Sequence, residues 1–251
     1  MKTLFQIFFL IIILQLFTLT VNQRIIGGFE VQNITETPYQ LSLRINGYHR
    51  CGASIISATW ALSAGHCLNP NYPVDTFTIL AGVLSLKSAE PKNIFYVAEF
   101  HRHPNYTTNY DYDVAVARVT RSFFELPLVK ATRLSTQDMP LVVGELSLVS
   151  GWGITLSGYE SDVLLKVQVP IISEEMCFSY WGSYLTDRMV CAGIRGSDTC
   201  QGDSGGPLIF RNLQVGIISY GPPDCGTSVP GVYSAISHPS IRQFIRRLTG
   251  V

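Results

Sequence analysis

Short apolar or alternating segments recur along this chain from Ile25 onward, and Gly, Pro, Asn and Ser residues separate them. The segments are rich in valine, isoleucine and aromatic residues, which is typical of short antiparallel strands in a sandwich or barrel. The predicted strands are Gln40 to Ile45, Phe77 to Leu80, Val114 to Val119, Leu146 to Val149, Val163 to Val169, Leu208 to Phe210 and Gln214 to Ser219. The pattern therefore predicts an all-β chain, as one large domain or two sub-domains.

One long helix is predicted, near the C-terminus and beginning at about Pro239. Its apolar positions follow the i, i+3, i+4, i+7 spacing of a packed amphipathic helix. These positions are Ile241, Phe244, Ile245 and Leu248. The basic residues among them are interpreted as the solvated face of this helix, and they are Arg242, Arg246 and Arg247.

The N-terminus has the pattern of a secretory signal peptide. Lys2 precedes an apolar run from Leu4 to Leu19, and a bilayer span needs roughly 20 apolar residues. We predict a signal peptide over residues 1–20, with a retained signal anchor as the alternative. No later segment is long and apolar enough to span a membrane, so a secreted, extracellular protein without membrane attachment after signal removal is expected.

Cysteine and asparagine usage agrees with a secreted chain. All six cysteines follow the predicted signal peptide, and an even number in such a protein favours three disulfides. Six cysteines allow about 15 pairings, so spacing alone leaves the connectivity open. Two sequons, at Asn33 and Asn105, are candidates for N-glycosylation.

Net charge gives no indication of a polyanionic partner. The chain has 18 Lys and Arg residues against 18 Asp and Glu residues, and 14% of all residues are charged. This balance argues against nucleic acid or an anionic membrane surface as a partner.

The clearest chemical signal is the segment Gly202-Asp203-Ser204-Gly205-Gly206-Pro207, preceded by a cysteine and a glutamine. Glycines let a ligand approach backbone N–H groups closely, so a serine in this loop can face a substrate carbonyl. The segment resembles the nucleophile loop of the chymotrypsin-like serine proteases.

Two further segments resemble the same family and contain a candidate base and acid. His66 lies in Ser-Ala-Gly-His-Cys, and imidazole can accept and return a proton near neutral pH. Metal ligation by His66 is disfavoured, because no second ligand follows at a helical or CxxC-type spacing. Asp113 leads directly into an apolar strand, which requires a buried partner for its charge. The neighbouring Asp111 does not match the family pattern, whereas Ser219 resembles the serine that helps hold this carboxylate.

The resemblance extends from Ile25 to Val251 and implies two packed six-stranded antiparallel barrels with a C-terminal α-helix. It implies that Ser204 is the nucleophile, that His66 is the base and that Asp113 orients the imidazole. The N–H groups of Gly202 and Ser204 would form the oxyanion hole. A monomer acting on proteins or peptides is implied, with protein protease inhibitors as further partners and with neither a cofactor nor a metal.

The resemblance also implies synthesis as a zymogen. Arg24 and Ile25 match the family's activation site, so residues 21–24 would be a short activation peptide and residues 25–251 the protease domain. The new amino group of Ile25 would pair with Asp203, and a buried ion pair of this kind needs both partners.

Specificity is expected to depend on Asp198, which matches the acid at the base of the primary pocket in trypsin-like members. A carboxylate there would pair with substrate Arg or Lys, and Gly221 and Gly231 match the glycines that keep this pocket open. The implied disulfides are Cys51–Cys67, Cys177–Cys191 and Cys200–Cys225. The departures from the family pattern are Tyr110, Tyr220, Thr199, and Val83 in place of a calcium-ligating glutamate.

The resulting hypothesis is a secreted serine endopeptidase that hydrolyses peptide bonds after Arg or Lys through an acyl-enzyme. One alternative is an active protease with chymotrypsin-like or narrower selectivity. Another is a catalytically silent binding protein, although silent relatives usually lack a member of the triad and this chain has all three.

Overall fold

A computed structural model describes residues 27–194 and 196–251 of the chain. The predicted signal peptide, activation peptide and cleavage site, including Arg24 and Ile25, lie outside these residues. Within the described part, no helix has the length and apolar character needed to cross a bilayer.

The first half of the chain forms a closed barrel. A two-residue strand β1 (Phe29–Glu30) precedes it, and the six barrel strands are β2 (Gln40–Ile45), β3 (Tyr48–Ile55), β4 (Trp60–Ser63), β5 (Phe77–Ala81), β6 (Ile94–Arg102) and β7 (Ala115–Val119). The barrel closes in the order β2-β3-β4-β7-β6-β5, and every pairing is antiparallel. Side chains such as Leu41, Leu43, Phe77 and Phe95 are buried in its core.

The second half forms a barrel of the same kind. The short strand β8 (Arg133–Leu134) comes first, and the barrel strands are β9 (Leu146–Gly151), β10 (Leu165–Ile172), β11 (Met189–Ala192), β12 (Pro207–Phe210), β13 (Leu213–Tyr220) and β14 (Gly231–Ala235). These six close in the order β9-β10-β11-β14-β13-β12, with antiparallel pairs throughout. Strand β1 adds to β10, and β8 pairs in parallel with β13. Two six-stranded antiparallel barrels are therefore confirmed.

Each strand predicted from the sequence overlaps an observed strand. The largest difference is at β10, which was expected to end at Val169 but continues to Ile172. Pro170 follows the predicted end and has no N–H to donate to a ladder. Its carbonyl still accepts from the N–H of Gly193 at 3.0 Å, and Ile171 pairs with Ala192, so the strand passes through it.

Two α-helices are present among the described residues, α1 (Glu174–Trp181) and α2 (Pro239–Thr249). Helix α2 begins at Pro239, as predicted, and Ile241 and Ile245 pack into the core cluster of the first barrel. Through these contacts, helix α2 packs the C-terminal end of the chain against the first barrel. Helix α1 was not predicted, because only Cys177 of its residues is buried and no apolar stripe marks it.

The two barrels meet through buried polar contacts as well as apolar ones. Ser54 donates to Gln214 Oε1 at 2.7 Å, and Ser150 donates to Gln40 Oε1 at 2.7 Å. Each of these hydrogen bonds joins one barrel to the other. Because an unpaired buried polar group costs about 1–3 kcal/mol, these pairs favour one docking geometry over others.

Ser204 is held against the first barrel by a close approach of backbone to backbone. Its carbonyl accepts from the N–H of Gly52 at 2.7 Å. The next residue, Gly205, has φ +82°, and a Cβ added there would lie 2.2 Å from Ser63 Oγ and 2.4 Å from the Gly52 carbonyl oxygen. Only glycine fits this position without displacing the loop.

Replacing Gly205 by alanine should therefore destabilise the fold in two ways, through the positive φ angle and through the steric overlap of the added Cβ. Gly144→Ala is the matched control, because Gly144 has φ +83° but nothing within 4 Å of an added Cβ. We expect a loss of about 1–2 kcal/mol for Gly144→Ala, and about 1–3 kcal/mol more for Gly205→Ala from overpacking. Urea unfolding in a Ser204→Ala background, which prevents self-digestion, measures both. Equal losses would contradict the close-approach argument.

Candidate active site

A cavity of about 190 Å³ opens between the barrels. The first barrel contributes His66 and Tyr110 to its wall, and the second contributes the remaining residues. These are Thr199, Cys200, Gln201, Ser204, Ile218, Ser219, Tyr220, Gly221, Pro222 and Cys225. The structure thus places two of the three predicted triad residues, His66 and Ser204, on one cavity.

The third residue, Asp113, lies behind His66 and is fully buried. His66 is in a 3-10 turn (Gly65–Cys67), which the Cys51–Cys67 disulfide ties to β3. Its Nδ1 donates to Asp113 Oδ2 at 2.8 Å, and its backbone N–H donates to Oδ1 at 2.8 Å. A carboxylate can only accept here, so Nδ1 carries the proton and Nε2 of the neutral ring is left as the acceptor.

Two serines of the second barrel complete the surroundings of Asp113. Ser219 Oγ donates to Asp113 Oδ2 at 2.5 Å, which is the contact expected for that residue. Ser234 Oγ donates to the backbone carbonyl of Asp113 at 2.9 Å, a contact that the sequence did not indicate. The carboxylate is therefore held by donors from both barrels.

Asp111 points away from this pair and has a partner of its own. Arg188 donates to both of its carboxylate oxygens, from Nε at 2.8 Å and from Nη2 at 3.0 Å, and Thr186 adds a hydrogen bond at 3.1 Å. Partial burial alone would raise the pKa of Asp111, but the hydrogen bonds and charge of Arg188 outweigh it and lower the pKa. The ion pair joins the loop that carries Asp113 to the second barrel.

This loop has an unusual backbone. Tyr110 has φ +61° and Tyr112 has φ +52°, on either side of Asp111. Bulky residues rarely adopt this region, and such strain persists only where the surroundings fix it. The Arg188 guanidinium also lies over the Tyr112 ring, 4.7 Å from its centroid. Arg188 thus fixes the loop at two adjacent residues.

The Ser204 loop presents two unused backbone donors. The N–H groups of Gly202 and Ser204 donate to no acceptor among the described residues. Gly202 has φ +94°, which glycine alone adopts readily. Both amides predicted to form an oxyanion hole are therefore available for a ligand.

His49, which the sequence analysis did not single out, fixes the position of Gly202. Its Nε2 lies 3.0 Å from the Gly202 carbonyl oxygen, and its Nδ1 lies 2.8 Å from Ser42 Oγ. Burial lowers the pKa of His49 to about 4, so the ring is neutral at pH 7. Because a carbonyl only accepts, Nε2 must carry the proton and Nδ1 must accept from the Ser42 hydroxyl. A lone histidine in a strand is not by itself a signal for this role.

Asp203, between Gly202 and Ser204 in this loop, is buried. Its oxygens accept from the N–H of Gly153 at 2.8 Å and from the N–H of Cys200 at 3.0 Å. Burial raises the pKa of Asp203 to about 6, and no cation of the described residues pairs with it. Its predicted partner, the amino group of Ile25, lies outside the described residues.

Asp198 directly precedes Thr199, which lines the cavity, and is also buried. It accepts from the N–H of Thr199 at 2.8 Å and from the N–H of Gly226 at 3.3 Å, and burial raises its pKa to about 6. A Cβ added to Gly231 would lie 3.3 Å from Asp198 Oδ1, and one added to Gly221 would lie 3.9 Å from the Gly231 Cα. Of the two predicted wall glycines, Gly231 therefore lies against this carboxyl, and Gly221 lies next to Gly231 and lines the cavity.

Aromatic rings line the side of the cavity next to His66. Tyr110 lies edge-on to the His66 ring at 5.4 Å and is also 5.4 Å from the Tyr220 ring. Trp181 of α1 packs edge-on against Tyr220 at 5.0 Å. Helix α1, unforeseen in the sequence, thus supports this wall.

The structure joins all six cysteines in the implied pairs, Cys51–Cys67, Cys177–Cys191 and Cys200–Cys225. The donor atoms of Cys51, His66 and Cys67 lie within 4.8 Å of one another. The two sulfurs are bonded to each other, however, so neither is a thiolate that could bind a metal. Val83 is buried in an apolar cluster with Leu80 and Trp152.

Comparison with known proteins identifies the family. Residues 25–245 match the family model described as trypsin. Trypsin 5G1 of Aedes aegypti is 36% identical over 237 residues, which cover 91% of this chain and 86% of that protein. Transmembrane protease serine 9 of Rattus norvegicus is 35% identical over 90% of this chain, which corresponds to 22% of that larger protein. The chain belongs to the trypsin family of serine proteases.

Proposed function

We propose that this protein is a secreted endopeptidase, made as a zymogen, that cleaves peptide bonds after Arg or Lys. The observation that carries the proposal is the hydrogen bond between the buried Asp113 carboxylate and His66 Nδ1. His66 and Ser204 line the same cavity. This arrangement leaves His66 Nε2 as a proton acceptor, and Ser204 lies in a loop with two amides that donate to no acceptor among the described residues. Acyl transfer needs these three elements.

In the proposed reaction, Ser204 Oγ attacks the substrate carbonyl carbon while His66 Nε2 takes the hydroxyl proton. The carbonyl oxygen becomes an oxyanion, and the N–H groups of Gly202 and Ser204 stabilise it. His66 then gives the proton to the leaving amine as the C–N bond breaks. A water molecule repeats the sequence on the acyl-enzyme and releases the acid. Asp113 keeps the imidazole in the required tautomer and stabilises its charged form.

The preference for basic residues rests on Asp198. Burial raises the pKa of this carboxyl, because the two backbone donors found for it among the described residues compensate its desolvation poorly. A substrate guanidinium or ammonium would supply the missing charge and bring the pKa down. An apolar side chain would leave the carboxyl unpaired, which disfavours it.

The substrate residue before the basic one is expected to be selected by the aromatic wall. Tyr110 narrows the cavity beside His66, and Tyr220 with Trp181 extends the apolar surface. This feature favours small or flat residues at the substrate position before the basic residue. It supports the alternative of a protease with narrower selectivity, here as a further restriction on cleavage after Arg or Lys.

Asp203 supports the zymogen proposal. It is a buried carboxyl without a described cation, two residues before Gly205 and next to the free Ser204 amide. Cleavage after Arg24 would create an ammonium at Ile25, and insertion of that group would neutralise Asp203. Activation and loop order would then be coupled through one ion pair.

The direct test uses protein cleaved after Arg24 and peptide substrates ending in Arg, Lys, Phe or Leu. We expect kcat/KM for Arg and Lys to exceed that for Phe and Leu by at least about 10³, since the unpaired Asp198 is costly. Asp198→Ser should remove most of this difference, and Ser204→Ala should abolish both turnover and fluorophosphonate labelling. Fastest cleavage after Phe or Leu contradicts the specificity, and labelling of Ser204→Ala contradicts the mechanism.

Stability should depend on pH in a direction set by the two buried carboxyls. An unfolded Asp has a pKa of about 3.9, so Asp198 and Asp203, with pKa values of about 6, hold protons longer when folded. The free energy of unfolding should therefore fall as pH rises from 4 to 7. In uncut Ser204→Ala protein, Asp203→Asn should make this decrease in the free energy of unfolding smaller. Cleavage after Arg24 by an added protease should do the same, because an inserted ammonium lowers the pKa of Asp203. Identical pH profiles before and after cleavage would contradict the proposed ion pair.

Arg188 should act as a positioning residue for Asp113. Arg188→Met removes the bidentate bond that fixes the Tyr110–Tyr112 turn, so we expect kcat to fall about tenfold or more, with a smaller change in KM. Arg188→Lys should recover part of the rate. The control is Arg211→Met, which removes a similar bidentate pair, with Glu145, at an exposed place remote from the cavity. Equal kinetics for the two Met variants would show that the ion pair has no role in the site.

A further inference from the structure

Strand β3 carries an arginine, Arg50, beside the Ser204 loop. Its neighbour His49 lies with Nε2 3.0 Å from the Gly202 carbonyl oxygen. Two residues after the arginine, the N–H of Gly52 donates to the Ser204 carbonyl at 2.7 Å. Arg50 therefore lies between two contacts that hold its strand against the loop of the nucleophile.

The pairing of β3 with β2 is irregular at Arg50. On β2, Leu43 pairs with Cys51 and the next residue pairs with His49. Arg50 is thus an extra residue without a partner across the ladder, which is a β-bulge. A bulge bends its strand and redirects a side chain, and bulges are frequent beside active sites.

The side chain of Arg50 has no role in holding together the part of the chain that the structure describes. The residue is exposed. Its guanidinium forms no ion pair, side-chain hydrogen bond or ring contact with any described residue. A permanently charged group with five N–H donors is therefore available to a ligand that lies over the Ser204 loop.

The Cys51–Cys67 disulfide indicates which part of a substrate would pass Arg50. Cys67 Sγ lies 3.6 Å from His66 Nε2 and 3.7 Å from the Ser204 carbonyl oxygen, and neither cysteine lines the cavity. In the proposed reaction, the residues before the cut occupy the cavity and the leaving amine takes its proton from Nε2. The residues after the cut would therefore leave past the disulfide, and Arg50 directly precedes Cys51.

We propose that Arg50 selects substrates with an acidic residue at one of the first two positions after the cut. A guanidinium binds a carboxylate through paired N–H donors. An extended chain advances by about 3.4 Å per residue, so these two positions are the ones that pass the disulfide and its neighbour. The inference rests on the proposed function and adds a second determinant to it, because Asp198 would select the residue before the cut.

One acid approaches the same loop and would favour the opposite charge. Glu160 Oε1 lies 3.8 Å from the position that a Cβ on Gly202 would take. Glu160 forms no ion pair with Arg50, so it does not neutralise the guanidinium. It lies beside an amide proposed for the oxyanion hole, whereas Arg50 adjoins the disulfide that the leaving residues would pass. The structure therefore favours Arg50 as the selecting charge.

The test uses protein cleaved after Arg24 and internally quenched peptides with Arg before the cut. The first and the second residue after the cut are each varied among Asp, Asn and Lys, and kcat/KM is measured for each peptide. At low salt we expect the Asp peptide to exceed the Asn peptide about threefold to fivefold at one of these positions, the upper range for an exposed ion pair. The advantage should disappear at about 1 M NaCl, where the Debye length is about 3 Å.

Variants of Arg50 should change this preference according to their charge. Arg50→Gln should abolish the difference between Asp and Asn, Arg50→Lys should retain part of it, and Arg50→Glu should favour Lys. The control is Arg133→Gln, which removes the same charge from the exposed end of β8, away from the cavity lining, and should keep the original preference. Each preference compares two substrates on one enzyme, so a general loss of rate leaves it unchanged.

Three results would overturn the proposal. These are equal cleavage of the Asp and Asn peptides at both positions, a preference for Lys that points to Glu160, and an Asp preference that survives in Arg50→Gln. The same series with Phe before the cut separates this inference from the proposed specificity. Faster cleavage of that series with an intact Asp preference would refute only selection of Arg or Lys, and cleavage of no peptide would refute both proposals.

Discussion

The arrangement of this molecule depends on the burial of one carboxylate, Asp113, where the two barrels meet. A fully buried charge is costly unless hydrogen bonds surround it. Here the donors come from His66 in the first barrel and from Ser219 in the second. The charge is satisfied only when the barrels are docked, so the same contact that joins them also orients the imidazole. Fold and candidate chemistry are set by one electrostatic requirement.

The loop around Ser204 depends on the same docking. Gly205 permits backbone contact with the first barrel, and the Gly52 N–H binds the Ser204 carbonyl there. His49, from β3, binds the carbonyl of Gly202 across the same boundary. A loop of the second barrel is thus shaped by the first, while the N–H groups of Gly202 and Ser204 have no acceptor within the part of the chain that the structure describes. The contacts with the first barrel therefore fix the backbone of the loop without using these two N–H groups.

The sequence predicted the parts of this structure that local pattern encodes. Alternating apolar residues located the strands, the spacing from Ile241 to Leu248 located α2, and the Gly-rich loop located Ser204. What it missed depends on partners distant in the chain. His49 acts on a residue 153 positions away, and Arg188 reaches Asp111 across 77 positions. Asp111 resembled an incidental neighbour of Asp113 because nothing near it in sequence reveals its cation. Helix α1 was missed for a different reason, since its signal lies in the Ser173 cap and the acidic first turn rather than in an apolar stripe.

Asp198 and Asp203 show how two similar carboxyls acquire different proposed roles. Both are buried, both accept backbone N–H groups, and both have raised pKa values because burial is incompletely compensated. They differ in what can reach them. Asp198 directly precedes Thr199, which lines the open cavity, and under the proposed function its cation arrives with a substrate. Asp203 lies against Gly153 inside the protein, where a Cβ on that glycine would approach the carboxylate to 2.5 Å, and its proposed partner is the amino group of Ile25. Position in the fold, rather than residue type, separates the recognition role proposed for Asp198 from the activation role proposed for Asp203.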